Sequence, residues 1–574
     1  MNPEELIVIE DLIEEELIVS ENSAEEEPVA SEDSTEEVQD DTAIGTNLAS
    51  IDYYSSELPF LNEFKSSSSW ITQSQGTWNT KEEDMLDLDS EGWVRSLPSS
   101  EEGAEYTSVS TLLFRDHSSY LPGNYVVLYE GEGEIEYGFD AEKNEALSTP
   151  GRDVIEVEPS SSGILLTITE TDPDETGDYI RDIEIVPEDL ESSVATETFN
   201  PEFVDKVERF DALRFMDWME TNGSSQENWE DRPKPEDARY VDGVPLEVMV
   251  ELANQTDTDP WFNIPHLATD EYVENFAEYV SENLDPDLNV YVEYSNEVWN
   301  GLFEQSKYAQ QQAEQESPDS NLNGNDWYGK RTVEVVEIWE EAFAEDPERV
   351  VGVLSAQNAN VAIGERILEY NWSDDPSLSN SEAGIDAIAI NPYFGRYIGK
   401  PENEAEVESW LEEPDGGLDS LFQEITEGGV LSDSPEGGAL GEVKNNIREY
   451  AELAEEENLS LLGYEGGQHL VGIRSVQNNQ ELTDLFIEAN SDPRMGEAYE
   501  EFLSLWSDAG GELFAHYNDI KAPSKTGSWG SLESVYQDGS PKYNALTGYD
   551  PMTEMTEEPA LMEEPVSMED SALV

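Results

Sequence analysis

The chain has 574 residues, and 133 Asp and Glu against 27 Lys and Arg give it a formal net charge of -106. That balance argues against a nucleic-acid ligand, because no basic stripe exists to neutralise phosphates. The absence of cysteine excludes disulfides, thiolate metal sites and a cysteine nucleophile. With 37% hydrophobic and 10% aromatic residues the chain can still bury a core. The acidity therefore reads as a surface adapted to high salt, where self-repulsion is screened.

The first residues, "MNPEELIVIEDLIEEELIVS", lack the basic start and clean apolar run of a secretory signal. No apolar stretch reaches the ~20 residues of a membrane span. The expected location is extracellular or at the cell surface by another export route, with the cytoplasm of a salt-accumulating cell as the alternative. Residues 1–42 repeat "ELIV" at 5–8 and 16–19, and residues 546–574 repeat "EEP" at 557–559 and 563–565. Both ends read as acidic disordered tails; the terminal "MEDSALV" also admits a reading as an export signal.

The folded body begins near Ala43. Between 104 and 195, runs such as "GNYVVLYEGEGEIEYGF", "DVIEVEP" and "SGILLTITETDPDETGDYIRDIEIVPE" alternate Val and Ile with turn residues, as a small all-β insert does. "GEGEIEYG" misses the spacing of a dinucleotide loop and reads as a hairpin. From about 200 the texture changes to alternating helices and strands. The expected strands are 43–51, 212–218, 260–265, 289–297, 349–357, 385–393, 459–467 and 511–519, with helices or the insert between them. Eight apolar strands in regular alternation predict a (β/α)8 TIM barrel built from 43–95 and 200–545. A doubly wound open sheet is the alternative.

Active sites of such barrels lie at the C-terminal ends of the strands. Polar residues collect at those predicted ends: Arg214, Asn263 and His266, Asn296 and Glu297, Gln357, Tyr393, Glu465 and His469, then His516 and Tyr517. Three of the four histidines fall there. Glu297 in "VYVEYSNEVWNG" and Glu465 in "YEGG" form the natural catalytic couple, since glycoside hydrolysis needs one protonated and one ionised carboxyl group. Most of the 133 acids are solvated, so either glutamate alone would be weak evidence. Glu293, four residues before Glu297, has no expected role.

"EYSNEVWN" ending strand four and "YEGG" ending strand seven together resemble the clan A glycoside hydrolases, retaining (β/α)8 enzymes. The resemblance implies that Glu297 is the acid/base and Glu465 the nucleophile. It further implies that Asn296 holds the sugar 2-hydroxyl, that Arg214 and Tyr393 support the nucleophile, and that His266 fills a polar strand-three position. "LRFMDWM", "WFNIPHLATDEYV", "INPYFG" and "SKTGSWGSLE" are further similar to a poorly characterised bacterial group related to that clan, cellulose-binding or hydrolase-like. Strand eight departs from the clan: "AHYND" has no Trp platform, and Trp529 is the expected substitute. Substrate contacts are expected from His469, His516 and Trp529, and from Trp299 beside the acid; Trp218 and Trp261 are weighed as stacking platforms against core packing.

The expected function is thus retaining hydrolysis of an oligo- or polysaccharide by double displacement, with a carbohydrate partner and no cofactor. Two rivals stay open: a non-catalytic carbohydrate-binding or cell-surface matrix protein, and a metal-dependent hydrolase using His266, His469 and His516, although no HExxH pattern exists. "DLDSEG" (87–92) resembles the start of a calcium loop but has Pro98 at its twelfth position, so a turn is expected. "TGSWG" (526–530) lacks the context of a nucleophile elbow.

Overall fold

Eight short strands close on themselves: Ala43–Asn47, Ala212–Arg214, Asp259–Ile264, Val290–Tyr294, Val350–Ser355, Ala387–Ile390, Ser460–Gly463 and Gly511–His516. All pairings are parallel, and the eighth strand meets the first with Leu513 opposite Ala43. The molecule is therefore a (β/α)8 barrel, and closure rules out the doubly wound alternative. This computed structural model describes residues 42–98, 103–316, 322–370, 379–381 and 383–548; the two expected tails fall almost wholly outside them. Among the described residues, no helix is long and apolar enough to cross a membrane.

Period-two alternation decides what enters the barrel. In the third strand Phe262 and Ile264 face the surrounding helices, Phe262 stacking on Phe215 and packing edge-on against Phe276. Trp261 and Asn263 face inward. In the fourth strand Val290, Val292 and Tyr294 face the helices, whereas Tyr291 stacks on Trp261 and Glu293 enters the interior. Outside, the helix Asp270–Asn283 is capped by Thr269, whose hydroxyl accepts from the Tyr272 N–H at 3.3 Å, and it buries Tyr272, Val273, Phe276 and Val280. The strands are shorter than the apolar runs suggest, because the barrel ladder ends before the chain turns out into the loops. Glu297 and Glu465 accordingly stand beyond their strands.

The insert is two four-stranded antiparallel sheets. One orders Ile71–Gln73, Ser108–Leu113, Ile164–Thr171 and Gly133–Phe139; the other orders Arg181–Pro187, Gly123–Glu130, Arg152–Val157 and Ala141–Lys143. Two expectations are corrected. Ile71–Gln73 pairs with Ser108–Ser110, so β structure of the insert begins inside the stretch assigned to the barrel; three residues are too few to display an alternation. "GEGEIEYG" (131–138) also does not make a hairpin with the strand before it, since Gly123–Glu130 and Gly133–Phe139 lie in different sheets. Residues 87–92 form the expected turn, with the Asp89 carboxylate accepting from the Glu91 and Trp93 N–H groups.

Barrel and insert share one apolar core. Phe60 packs on Trp218 and Tyr240 of the barrel. The next residue, Leu61, clusters with Val126 and Val186 of the insert. Asn62 then accepts from the Ile185 N–H at 3.0 Å.

Candidate active site

The inner wall of the barrel carries a buried ionic cluster. Arg214, 1% exposed, ends the second strand and spreads its guanidinium over three neighbours. Its Nη2 donates to Glu293 Oε2 (2.9 Å) and Asn296 Oδ1 (2.9 Å), Nη1 donates to Asn47 Oδ1 (2.9 Å), and Nε reaches Glu293 Oε2 at 3.2 Å. The same Glu293 oxygen accepts from Trp261 Nε1 (3.0 Å) and Asn263 Nδ2 (2.8 Å). Glu293, left without a role by the sequence, is thus the main counter-charge of Arg214. A buried cation requires such a partner, because stripping two ions of water costs several kcal/mol each.

Glu465 stands at the mouth of this cluster, its Oε2 3.9 Å from Arg214 Nη1. Two glycines follow it. Gly467 has φ +124°, and a Cβ there would lie 2.6 Å from the Tyr499 hydroxyl and 3.1 Å from the His516 ring, so only glycine fits behind the glutamate.

Glu297 is 3% exposed and its carboxylate is gripped from several sides. Asn300 Nδ2 donates to Oε2 at 3.0 Å, while Asn391 Nδ2 and the Tyr464 hydroxyl each donate to Oε1 at 3.1 Å. Both Ser295 (φ +64°) and Glu297 (φ +43°) adopt left-handed backbone, an arrangement costing on the order of 1–3 kcal/mol per residue. Backbone strain and three donors together fix this one carboxylate.

Tyr464 connects the two glutamates. It directly precedes Glu465, its hydroxyl reaches Glu297, and the Arg214 guanidinium lies 5.1 Å from its ring centre. Burial pushes its phenol far above the ordinary range, and the charges of Glu297, Glu465 and Glu293 add to that push against the opposing Arg214. Glu297 thus accepts a hydrogen bond from the Tyr464 phenol, and Glu465 bears on the same phenol through its charge.

The other expected site residues separate into two groups. Asn296 accepts from Arg214 and donates to Asn222 Oδ1 at 3.1 Å. Half-buried Trp299 lies two residues beyond Glu297, and its indole N–H is buried without a hydrogen-bond partner. Tyr393 begins a short strand, Tyr393–Phe394, that pairs with Gly467–Gln468 just past Glu465. Trp529 arrives at the end of strand eight from further along the chain, edge-on to His469 (5.1 Å), Tyr393 (5.8 Å) and Tyr517 (6.0 Å). His266 is 5% exposed, edge-on to Tyr308, and burial lowers its pKa.

The second group lies in the packing. His516 is fully buried, and its Nδ1 donates to the Asn518 carbonyl (3.0 Å). That leaves Nε2 to accept from the Tyr499 hydroxyl (3.0 Å), and burial together with Lys542 holds the ring neutral. It is a structural side chain behind Gly467 rather than a sugar contact, and with both nitrogens occupied it cannot complete a metal triad with His266 and His469. Trp218 is enclosed by Phe60, Phe203 and Phe215, and Trp261 is held inside the barrel, so neither is a stacking platform. Gln357 follows the fifth strand, where its carbonyl accepts from the Tyr450 hydroxyl at 2.7 Å.

Sequence reasoning missed Asn47, Glu293, Asn300, Asn391 and Tyr464. Asn47 and Asn391 carried the same signal as the residues found, being polar and at or just past strand ends. Parity with Tyr291 places Glu293 inside the barrel but does not reveal its partner Arg214.

No family model matches the chain, and no curated protein matches it. Solved structures with some likeness include a double mutant of the endo-β-1,4-mannanase of Cellulomonas fimi. It is 10% identical over 59% of this chain and 63% of that one, with a TM-score of 0.31. A Bacteroidetes-affiliated GH5 cellulase linked with a polysaccharide utilization locus is 8% identical over 62% and 85%, at 0.34. A GH5-4 broad-specificity endoglucanase from Clostridium acetobutylicum is 10% identical over 61% and 89%, also at 0.34. This chain thus spans less than two thirds of the mannanase. Likeness at these levels carries no assignment of activity. What fold and site define is a closed parallel barrel with a buried ionic cluster and two glutamates at the C-terminal ends of its strands.

Proposed function

We propose that the barrel is a retaining glycoside hydrolase acting on an oligo- or polysaccharide at high salt, outside the cell or on its surface. The observation that supports this reading is that Glu297 and Glu465, one above the fourth strand and the other above the seventh, both act on Tyr464, the first by a hydrogen bond and the second by its charge. In the first step Glu465 attacks the anomeric carbon while Glu297 protonates the departing oxygen. In the second, Glu297 takes a proton from water, which releases the sugar from Glu465. Arg214 favours the ionised form of Glu465. Trp299 offers an apolar face beside the leaving group, and Asn296 faces the sugar from the Arg214 cluster.

One observation favours a second reading, a barrel that binds carbohydrate without cleaving it. Three donors on Glu297 stabilise its carboxylate, whereas an acid catalyst must first take up a proton. A screen of aryl-glycosides and polysaccharides in molar salt separates the two readings. Glu297→Gln and Glu465→Gln should each lower kcat by about 10²-fold or more, and the first product should keep its anomeric configuration. Unchanged cleavage in both variants would refute the catalytic assignment, and carbohydrate binding without any turnover by the wild type would establish the second reading.

A further inference from the structure

Two aromatic rings on the insert stand where folding alone would not leave them. Trp78 and Phe139 are each 50% exposed. They are the only exposed rings, among the described residues, that stack on each other, at 5.8 Å between centres and 27° between planes. Trp78 follows the edge strand Ile71–Gln73, and Phe139 ends the strand at the opposite edge of the same sheet, so the pair bridges that sheet. Phe139 is also out of place by parity. Ile135 is buried and Tyr137 donates to Asp153 of the second sheet at 3.0 Å, so a regular strand would carry Phe139 inward with them. Its backbone instead adopts φ +61°, a genuine outlier for a bulky residue, and the ring turns out. Arg115 lies over that ring at 5.6 Å while its Nη1 is anchored to the Ser162 carbonyl.

We propose that Trp78, Phe139 and Arg115 form a second carbohydrate-binding site, on the insert, for a neutral β-linked polysaccharide. The inference rests on the glycoside hydrolase reading for the presence of such a polymer. Pyranose units with equatorial substituents present flat C–H faces that lie on aromatic rings, and the guanidinium supplies donors to their hydroxyls. The area points to a narrow ligand. Two half-exposed aromatic side chains offer on the order of 200 Å², well below the ~800 Å² per partner of a stable protein interface. Local charge points the same way: the Asp116 carboxylate lies 3.5 Å from the Arg115 guanidinium, so this cation is already matched, which disfavours a polyanionic glycan and suits an uncharged one.

The test uses the full-length chain carrying Glu465→Gln, mixed in molar salt with microcrystalline cellulose or insoluble β-mannan, with protein lost from the supernatant as the readout. Retention on at least one polymer is expected, falling several-fold in Trp78→Ala or Phe139→Ala and about ten-fold or more in the double variant. Retention of the double variant at the parental level would overturn the proposal, as would no retention of the parent on either polymer. A change in self-association by sedimentation, without a change in retention, would assign the patch to protein contact and overturn it too. Cleavage of a soluble aryl-glycoside by the wild-type enzyme reports on the barrel separately. Trp78-dependent retention without cleavage sinks the barrel reading alone, and cleavage without retention sinks the insert site alone.

Discussion

The barrel and the insert invert the usual distribution of side chains in opposite ways. The barrel hides charge, with Arg214, Glu293, Asn47 and Asn296 bonded together out of water. The insert displays apolar surface, with Trp78 and Phe139 turned outward from a sandwich whose remaining Val and Ile are packed. Buried polar groups and exposed aromatics are the informative exceptions in a folded protein. The difference teaches that chemistry and capture make opposite demands. A reacting site needs fixed charges in a dry setting, and a surface that holds a polymer needs faces that are open before the ligand arrives.

The comparison can be broken at its strongest point first. Arg214→Met leaves Glu293 without a counter-charge and should cost about 3–5 kcal/mol, read as a lowered denaturant midpoint in molar salt, with glycoside cleavage lost. Adding Glu293→Gln should return most of the stability and none of the activity, because a neutral pair needs no partner.

A second buried cation sharpens the contrast within the barrel half. Lys542 Nζ donates to the Ser528 carbonyl at 2.6 Å, and burial pushes its pKa down to about 7. The unfolded chain holds that proton up to about pH 10.4, so between pH 7 and 10 the unfolded state binds more protons and stability should rise with pH. Lys542→Met should remove that rise and stabilise the protein at pH 7 and below by on the order of a few kcal/mol, as pH-dependent unfolding would register.

The smallest effect belongs to the insert. Trp78→Ala should change unfolding free energy by no more than about 0.5 kcal/mol, whereas the same truncation at Trp261 should cost roughly 3–5 kcal/mol. Equal costs at the two positions would mean that Trp78 is a packing residue after all.

The barrel was legible because its strands are apolar runs at regular intervals, and its candidate site because polar residues stand at their ends. Three misses share one cause. Glu293 lies within a strand, Tyr464 looks like one more aromatic, and Ile71–Gln73 is too short to alternate; each acquires meaning only from a partner far away in sequence. His516 failed in reverse, since a strand-end position does not say which way a ring points. The helix Gln480–Ser491, capped by Asn479, is hidden in the sequence because Asn478, Asn479 and Gln480 look like a loop until the cap is seen.

The three consecutive residues Phe60, Leu61 and Asn62 address barrel, sandwich and sandwich backbone in turn. They leave no neutral seam at which a cassette could be lifted out. Cutting at 71 and 187 would strand Leu61 and the Asn62 acceptor beside a vanished wall. A lineage that carries this insert can lengthen its loops or exchange its surface aromatics, yet it cannot trade the sandwich for another without rebuilding the side of the barrel beneath Trp218.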